Sequence, residues 1–225
     1  MKAIGQYIDH TLLKATATED DIIQLCTEAK EFGFYAVCIN GCYVELAKNQ
    51  LKNSAVKIAT VIGFPLGAAS TESKVREATI AVEYGADEID MVMNIGFFKS
   101  KYTKAVTEEI EAIKKSIGPK ILKVIIETCY LTDGEIKLAC QLAKKGGADF
   151  VKTSTGFGTG GATTHAVKLM VDEVGESVQV KASGGIKDAN TAKKYIKLGV
   201  SRIGTSSGIE IVSGATKKDD NEHTY

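Results

Sequence analysis

Two periodicities alternate along the chain. Short runs rich in Val, Ile and Ala predict strands at 7–10, 36–40, 57–63, 88–94, 121–127, 150–154, 178–182 and 201–205. Between them, apolar positions recur every three or four residues and predict helices at 18–30, 43–51, 72–84, 102–117, 133–145, 163–174 and 188–198. The helix at 18–30 shows the pattern. Thr18 stands at the N-cap, Glu19, Asp20 and Asp21 fill the first turn, and Ile22, Leu25, Cys26 and Ala29 form one apolar stripe. Strands separated by single helices predict a parallel sheet.

A four-fold echo sharpens that expectation. Gly33, Gly85, Gly147 and Gly199 each follow a predicted helix and precede a strand, at spacings of 52, 62 and 52 residues. Glycine just past a helix accepts the left-handed conformation that other residues resist. Each interval holds two β/α units, so the pacing predicts a (β/α)8 TIM barrel over 1–215 as a single domain. An open doubly wound sheet is the alternative, but it does not require even spacing. Two prolines and the lack of a long polar linker give no place for a domain boundary. Residues 216–225 are polar and charged and read as a mobile tail.

Composition narrows the function classes. Lys+Arg and Asp+Glu both number 28 in 225 residues, so no basic surplus points to nucleic acid. No apolar run is long enough for a bilayer, and the first residues lack the apolar core of a secretory signal. Five cysteines with no CxxC pair argue for a reducing, cytoplasmic setting. Three histidines lie far apart, which disfavours a histidine-rich metal site.

The chemistry concentrates on two lysines. Lys152 stands in Phe150-Val151-Lys152-Thr153-Ser154-Thr155-Gly156, and Lys181 in Val180-Lys181-Ala182-Ser183-Gly184-Gly185. Ammonium groups inside strands are costly unless something uses them. An ordinary lysine is neutral about four times in ten thousand at pH 7. Burial beside a second cation favours the neutral amine, the form that condenses with a carbonyl to give a Schiff base. Lys152 therefore fits a nucleophile, Lys181 its cationic neighbour, and Asp90 a proton shuttle. Lys123 and Glu127 add polar groups on the preceding strand. A purely structural ion-pair network is the bland alternative.

Two loops suit an anion. Ser183-Gly184-Gly185-Ile186-Lys187-Asp188 follows strand seven, and Gly204-Thr205-Ser206-Ser207-Gly208 closes strand eight. Small residues let backbone N–H groups approach a phosphate, and these are the loops where barrels commonly hold one. Gly184, Gly185, Lys187, Gly204, Ser206 and Ser207 are the candidates there, joined by Thr155 and Gly156. Gly156–Gly161 also satisfies GxGxxG, but Asp172 falls inside a predicted helix, not at the end of a second strand. A loop bordering the site is the better reading. His10 beside Asp9 and the small Cys38 are equally readable as core residues, and Ser206 lacks the GxSxG elbow of serine hydrolases.

The motifs Asp9-His10-Thr11-Leu12-Leu13, Ala86-Asp87-Glu88-Ile89-Asp90-Met91-Val92, Lys123-Val124-Ile125-Ile126-Glu127-Thr128, Val151–Phe157, Val180–Ile186 and Gly204–Gly208 together resemble the deoxyribose-phosphate aldolase family. The likeness runs from strand one to strand eight. It implies reversible cleavage of 2-deoxy-D-ribose 5-phosphate to D-glyceraldehyde 3-phosphate and acetaldehyde, in deoxyribose phosphate catabolism. It also implies a Schiff base on Lys152, proton transfer by Asp90 and Lys181, no metal or organic cofactor, and a homodimer. Some members carry a basic residue where this chain has Phe157, so phosphate would lean on backbone N–H groups and Lys187. Some also end in a tyrosine, which implies that Tyr225 folds over the pocket and assists proton transfer. Metal-dependent aldol cleavage and a non-catalytic sugar-phosphate binder are the competing functions.

Overall fold

Residues 2–214 are described by a computed structural model of the chain. Eight parallel strands close in chain order: β1 (Ile8–Leu12), β2 (Ala36–Ile39), β3 (Lys57–Ile62), β4 (Glu88–Val92), β5 (Ile121–Ile125), β6 (Phe150–Lys152), β7 (Gln179–Ser183) and β8 (Arg202–Thr205). β8 pairs back onto β1 through Asp9 and Gly204, which completes the barrel. The (β/α)8 expectation holds and the open sheet does not. Assignments 216–225 and Tyr225 lie outside the described residues.

The main helices lie where the periodicity puts them: α1 (Glu19–Glu31), α2 (Val44–Gln50), α3 (Thr71–Tyr84), α5 (Thr103–Ile117), α6 (Asp133–Lys145), α7 (Thr164–Val174) and α8 (Ala189–Lys197). Capping boxes at Thr18 with Asp21, and at Thr132 with Glu135, fix two of the starts. Two short helices, α4 (Ile95–Lys99) and α9 (Gly208–Ser213), are additions to the sequence reading. α4 forms because Asn94 turns its side chain to accept from Phe97 N–H, so β4 ends at Val92 and Asn94 is a cap. The four pacing glycines all have positive φ, between 62° and 115°.

Strand alternation sorts the core into two compartments. Outward-facing Ile8, Val37, Ile39, Ile89, Met91, Val124 and Val151 pack against the helix stripes in the larger cluster. Inside the barrel, Leu13, Cys38, Ala59 and Val61 make a small apolar patch along β1–β3. Much of the remaining interior is charged. It carries Asp9, Glu88, Asp90, Lys123, Lys152, Lys181 and Arg202, all buried.

Candidate active site

Inward positions on neighbouring strands carry these charges in register: Asp90 opposite Lys123, Lys152 opposite Lys181, and Lys181 opposite Arg202. Asp90 is the hub. Its Oδ2 accepts from Lys152 Nζ at 2.9 Å and from Lys181 Nζ at 2.8 Å, while Oδ1 accepts from Lys123 Nζ at 2.7 Å. Lys123 also lies 2.5 Å from Glu88, and Lys181 lies 2.5 Å from Asp9. The four cations Lys123, Lys152, Lys181 and Arg202 face the three carboxylates Asp9, Glu88 and Asp90.

This geometry corrects the simplest electrostatic expectation. Lys152 and Lys181 do not confront each other across an empty gap, because Asp90 is interposed and bonded to both. Lys181 is held well above the ordinary lysine range: burial opposes its charge, and Asp9 and Asp90 overcome the opposition. Asp90, despite its burial, is held well below the usual carboxylate range by Lys123, Lys152 and Lys181. In the resting site both groups therefore favour their charged states. A buried network of this kind stabilises poorly relative to an apolar filling, so its presence favours a chemical use.

Glu127 is the site residue whose importance the sequence understated. It follows β5 with a left-handed backbone (φ 55°), which swings its carboxylate towards the β6 loop. There it accepts from Thr155 N–H at 3.2 Å and from the Thr155 hydroxyl, and Thr155 Oγ1 in turn accepts from Phe157 N–H at 3.0 Å. Burial pushes the Glu127 carboxyl up, against the pull of these bonds and of Lys152. Thr155 is therefore a buried strut of the loop. A non-glycine residue with positive φ at the end of a strand was the hidden signal, and no residue pattern announces it.

The remaining candidates divide by position. Gly184 and Gly185 have φ of 88° and 75°, Gly156 has 88°, and the three bend their loops over the carboxyl end of the barrel. Gly185, Lys187 and Ser206 are exposed there, and Ser207 is buried beneath them, taking a bond from its own N–H to Thr205 Oγ1 at 2.9 Å. Gly204 instead lies within β8. A side chain there would run into Ser183 Oγ and come within 3.0 Å of Lys181 Cε, so this glycine clears the path of the lysine. The GxGxxG segment is a packed border. Gly161 leaves no room for a Cβ against the Gly184 backbone, and Ala162 N–H donates to Ser183 and Gly184 carbonyls at 3.0 and 3.2 Å. Exposed Phe157 reaches across to Phe64 on the β3 loop, ring edge to face at 5.2 Å.

His10 faces outward. Its Nε2 lies 2.7 Å from Glu28 of α1, and its ring rests on Phe34, so it takes no part in the charged interior. His165 pairs with Asp133 on the surface. Among the described residues no cluster of three His, Cys, Asp or Glu side chains has a metal-binding arrangement, and no helix is long and apolar enough to cross a membrane.

Residues 3–214 match the family described as DeoC/LacD family aldolase. A deoxyribose-phosphate aldolase from Thermoanaerobacter sp. is 57% identical over 212 residues, covering 93% of this chain and 95% of that one. The Thermococcus kodakarensis deoxyribose-phosphate aldolase is 57% identical over 219 residues, covering 95% and 97%. Among solved structures, a putative deoxyribose-phosphate aldolase from Coccidioides immitis superposes with a TM-score of 0.92 at 42% identity, covering 95% of this chain and 87% of that one. The tetrameric enzyme from Aeropyrum pernix gives a TM-score of 0.86 at 34% identity, covering 94% and 90%. Family match, relatives and barrel agree over nearly the same residues, and the chain belongs to the DeoC/LacD aldolases, within their deoxyribose-phosphate aldolase group.

Proposed function

We propose that the protein cleaves 2-deoxy-D-ribose 5-phosphate reversibly to D-glyceraldehyde 3-phosphate and acetaldehyde through a Schiff base on Lys152. The observation that carries the reading is the convergence of Lys152 and Lys181 on one oxygen of Asp90 in a barrel interior closed to solvent.

The free amine of Lys152 adds to the C1 aldehyde, and the carbinolamine loses water to give an iminium. The iminium accepts the electron pair of the C2–C3 bond as that bond breaks, while the C3 hydroxyl gives up its proton. Glyceraldehyde 3-phosphate leaves, and the enamine is protonated at C2 and hydrolysed to acetaldehyde. Asp90 and Lys181 are the proton-handling pair, because a carboxylate bonded to both lysines can relay a proton between them and the substrate. Gly184, Gly185, Ser206 and Ser207 offer the phosphate backbone and hydroxyl donors, and Lys187 offers a charge. The Phe157–Phe64 pair joins the β6 loop to the β3 loop with apolar surface.

Further parts of the reading are a homodimeric assembly, a cytoplasmic location suited to five free cysteines, and a role in deoxyribose phosphate catabolism. Tyr225 is assigned an assisting role in proton transfer. Unchanged turnover and enamine proton exchange after its deletion would remove that assignment. The reading as a whole is tested by reducing the protein with borohydride in the presence of acetaldehyde and mapping the labelled peptide. Label on the peptide holding Lys152 is expected, and no label under conditions of turnover would overturn it.

A further inference from the structure

Arg202 stands at the amino-terminal end of β8, far from the loops that receive substrate. It lines a cavity of about 700 Å³ at that opposite face of the barrel, together with Tyr35, Phe150 and Gln179. Its guanidinium lies 3.5 Å above the Tyr35 ring and 5.3 Å from the Phe150 ring. It donates to Asp9 Oδ1 at 2.7 Å and forks onto both oxygens of Glu88 at 3.1 Å. Those two carboxylates are the ones that also hold Lys181 and Lys123. A continuous chain of opposite charges thus runs Arg202–Asp9–Lys181–Asp90–Lys152, with a parallel branch through Glu88 and Lys123.

We infer that Arg202 is a positioning residue whose permanent charge, transmitted through Asp9 and Glu88, favours release of the Lys152 proton and so sets the pH at which the amine becomes available. The inference rests on the Schiff-base reading above. Without Arg202, three lysines would face three carboxylates, a balance reached with every lysine charged. With it, the network holds one more positive charge, and that added charge is relieved when one lysine gives up a proton. An arginine suits this task because its guanidinium keeps its own proton throughout the working range.

The other groups facing this network do not alter the sign. Glu127 approaches Lys152 from the β5 loop, where burial raises its carboxyl and both oxygens accept from Thr155, and its effect on Lys152 does not involve Arg202. Cys38 on β2 and Tyr35 ahead of it have their ionisation pushed up by burial, so both stay neutral. All three are common to the parent and the variants. A unit charge two carboxylates away, acting through an effective dielectric near 20, moves a titration by about one pH unit.

The test follows the rate of borohydride-trapped adduct formation with acetaldehyde, and kcat/KM for the phosphorylated substrate, against pH in the full chain. Arg202→Met is expected to move the acid limb of both profiles upward by about one unit, which is about a tenfold loss on the acid side that vanishes at high pH. Arg202→Lys is expected to restore most of the shift. Glu88→Gln removes a negative charge and is expected to move the limb the other way, so it decides the question if Arg202→Met does not fold. An equal loss at every pH in folded Arg202→Met, or an unmoved or upward limb in Glu88→Gln, overturns the inference. Failure of the parent protein to form any adduct on Lys152 sinks the Schiff-base reading itself, whereas a normal adduct with unmoved limbs sinks only the role of Arg202.

Discussion

Lys152 and Lys181 are register partners on adjacent strands, and both nitrogens bond to the same atom, Asp90 Oδ2, at 2.9 and 2.8 Å. The shared oxygen turns two like charges into a bridged triad. It gives a short route for a proton between the two amines, which a bare pair of ammonium groups would lack. It also means that removal of any one member changes the charge state available to the other two.

Lys152→Met keeps the length of the side chain and removes the nucleophile. Turnover is expected to fall by at least about a thousandfold, because covalent catalysis has no substitute here. Stabilisation by inorganic phosphate, read as a rise in melting temperature, is expected to persist. Retained turnover would defeat the nucleophile assignment.

Asp90→Asn should be costly to the fold as well as to catalysis. The change leaves Lys123, Lys152 and Lys181 buried without their common anion, and breaking a buried pair from one side costs about 3–5 kcal/mol. Urea denaturation at pH 7 measures it. A loss below about 1 kcal/mol would mean that the lysines find other partners or shed their protons at little cost.

Phosphate recognition is expected to separate from the chemical step in Gly161→Ala. A methyl there collides with the Gly184 backbone and pushes the β6 loop off the β7 loop. KM for the phosphorylated substrate should rise about tenfold, equivalent to about 1.4 kcal/mol of binding. The rate of trapping with acetaldehyde, which has no phosphate, should change far less. Equal losses with both substrates would show that the β6–β7 contact serves Lys152 instead.

Stability should fall in acid through Asp9 and Asp90. Both are depressed in the folded state, so their contribution is present above the ordinary carboxylate value of 3.8 and is lost as pH falls towards their folded values. Glu109 and Glu127, raised by burial, act in the opposite sense: their contribution is complete below 4.5 and declines as pH rises. Melting temperature is expected to drop below about pH 4, and Asp90→Asn should show a shallower acid dependence than the parent. An identical acid slope in the variant would assign the loss to other carboxylates.

Much of the architecture was legible because it rests on local physics. Period-two strands, period-3.6 helices and left-handed glycines at 33, 85, 147 and 199 each declare themselves within a few residues. Lys152 and Lys181 were visible for a similar reason, since a charge in the middle of a buried strand violates a local rule. Glu88, Asp9 and Arg202 obey the same alternation but sit at strand positions where a polar residue passes for an exposed one. Glu127 depended on a positive φ that only its neighbours explain.

By itself, the sequence determined the alternation of eight strands with seven helices and marked Lys152 and Lys181 as interior lysines, since periodicity and burial cost act within one segment. Only the tertiary structure decided what those lysines touch. Closing β8 onto β1 brings Arg202 and Asp9, 193 residues apart, within 2.7 Å. That closure converts isolated charges on separate strands into one network, and Coulomb energies depend on the distances through space that it sets.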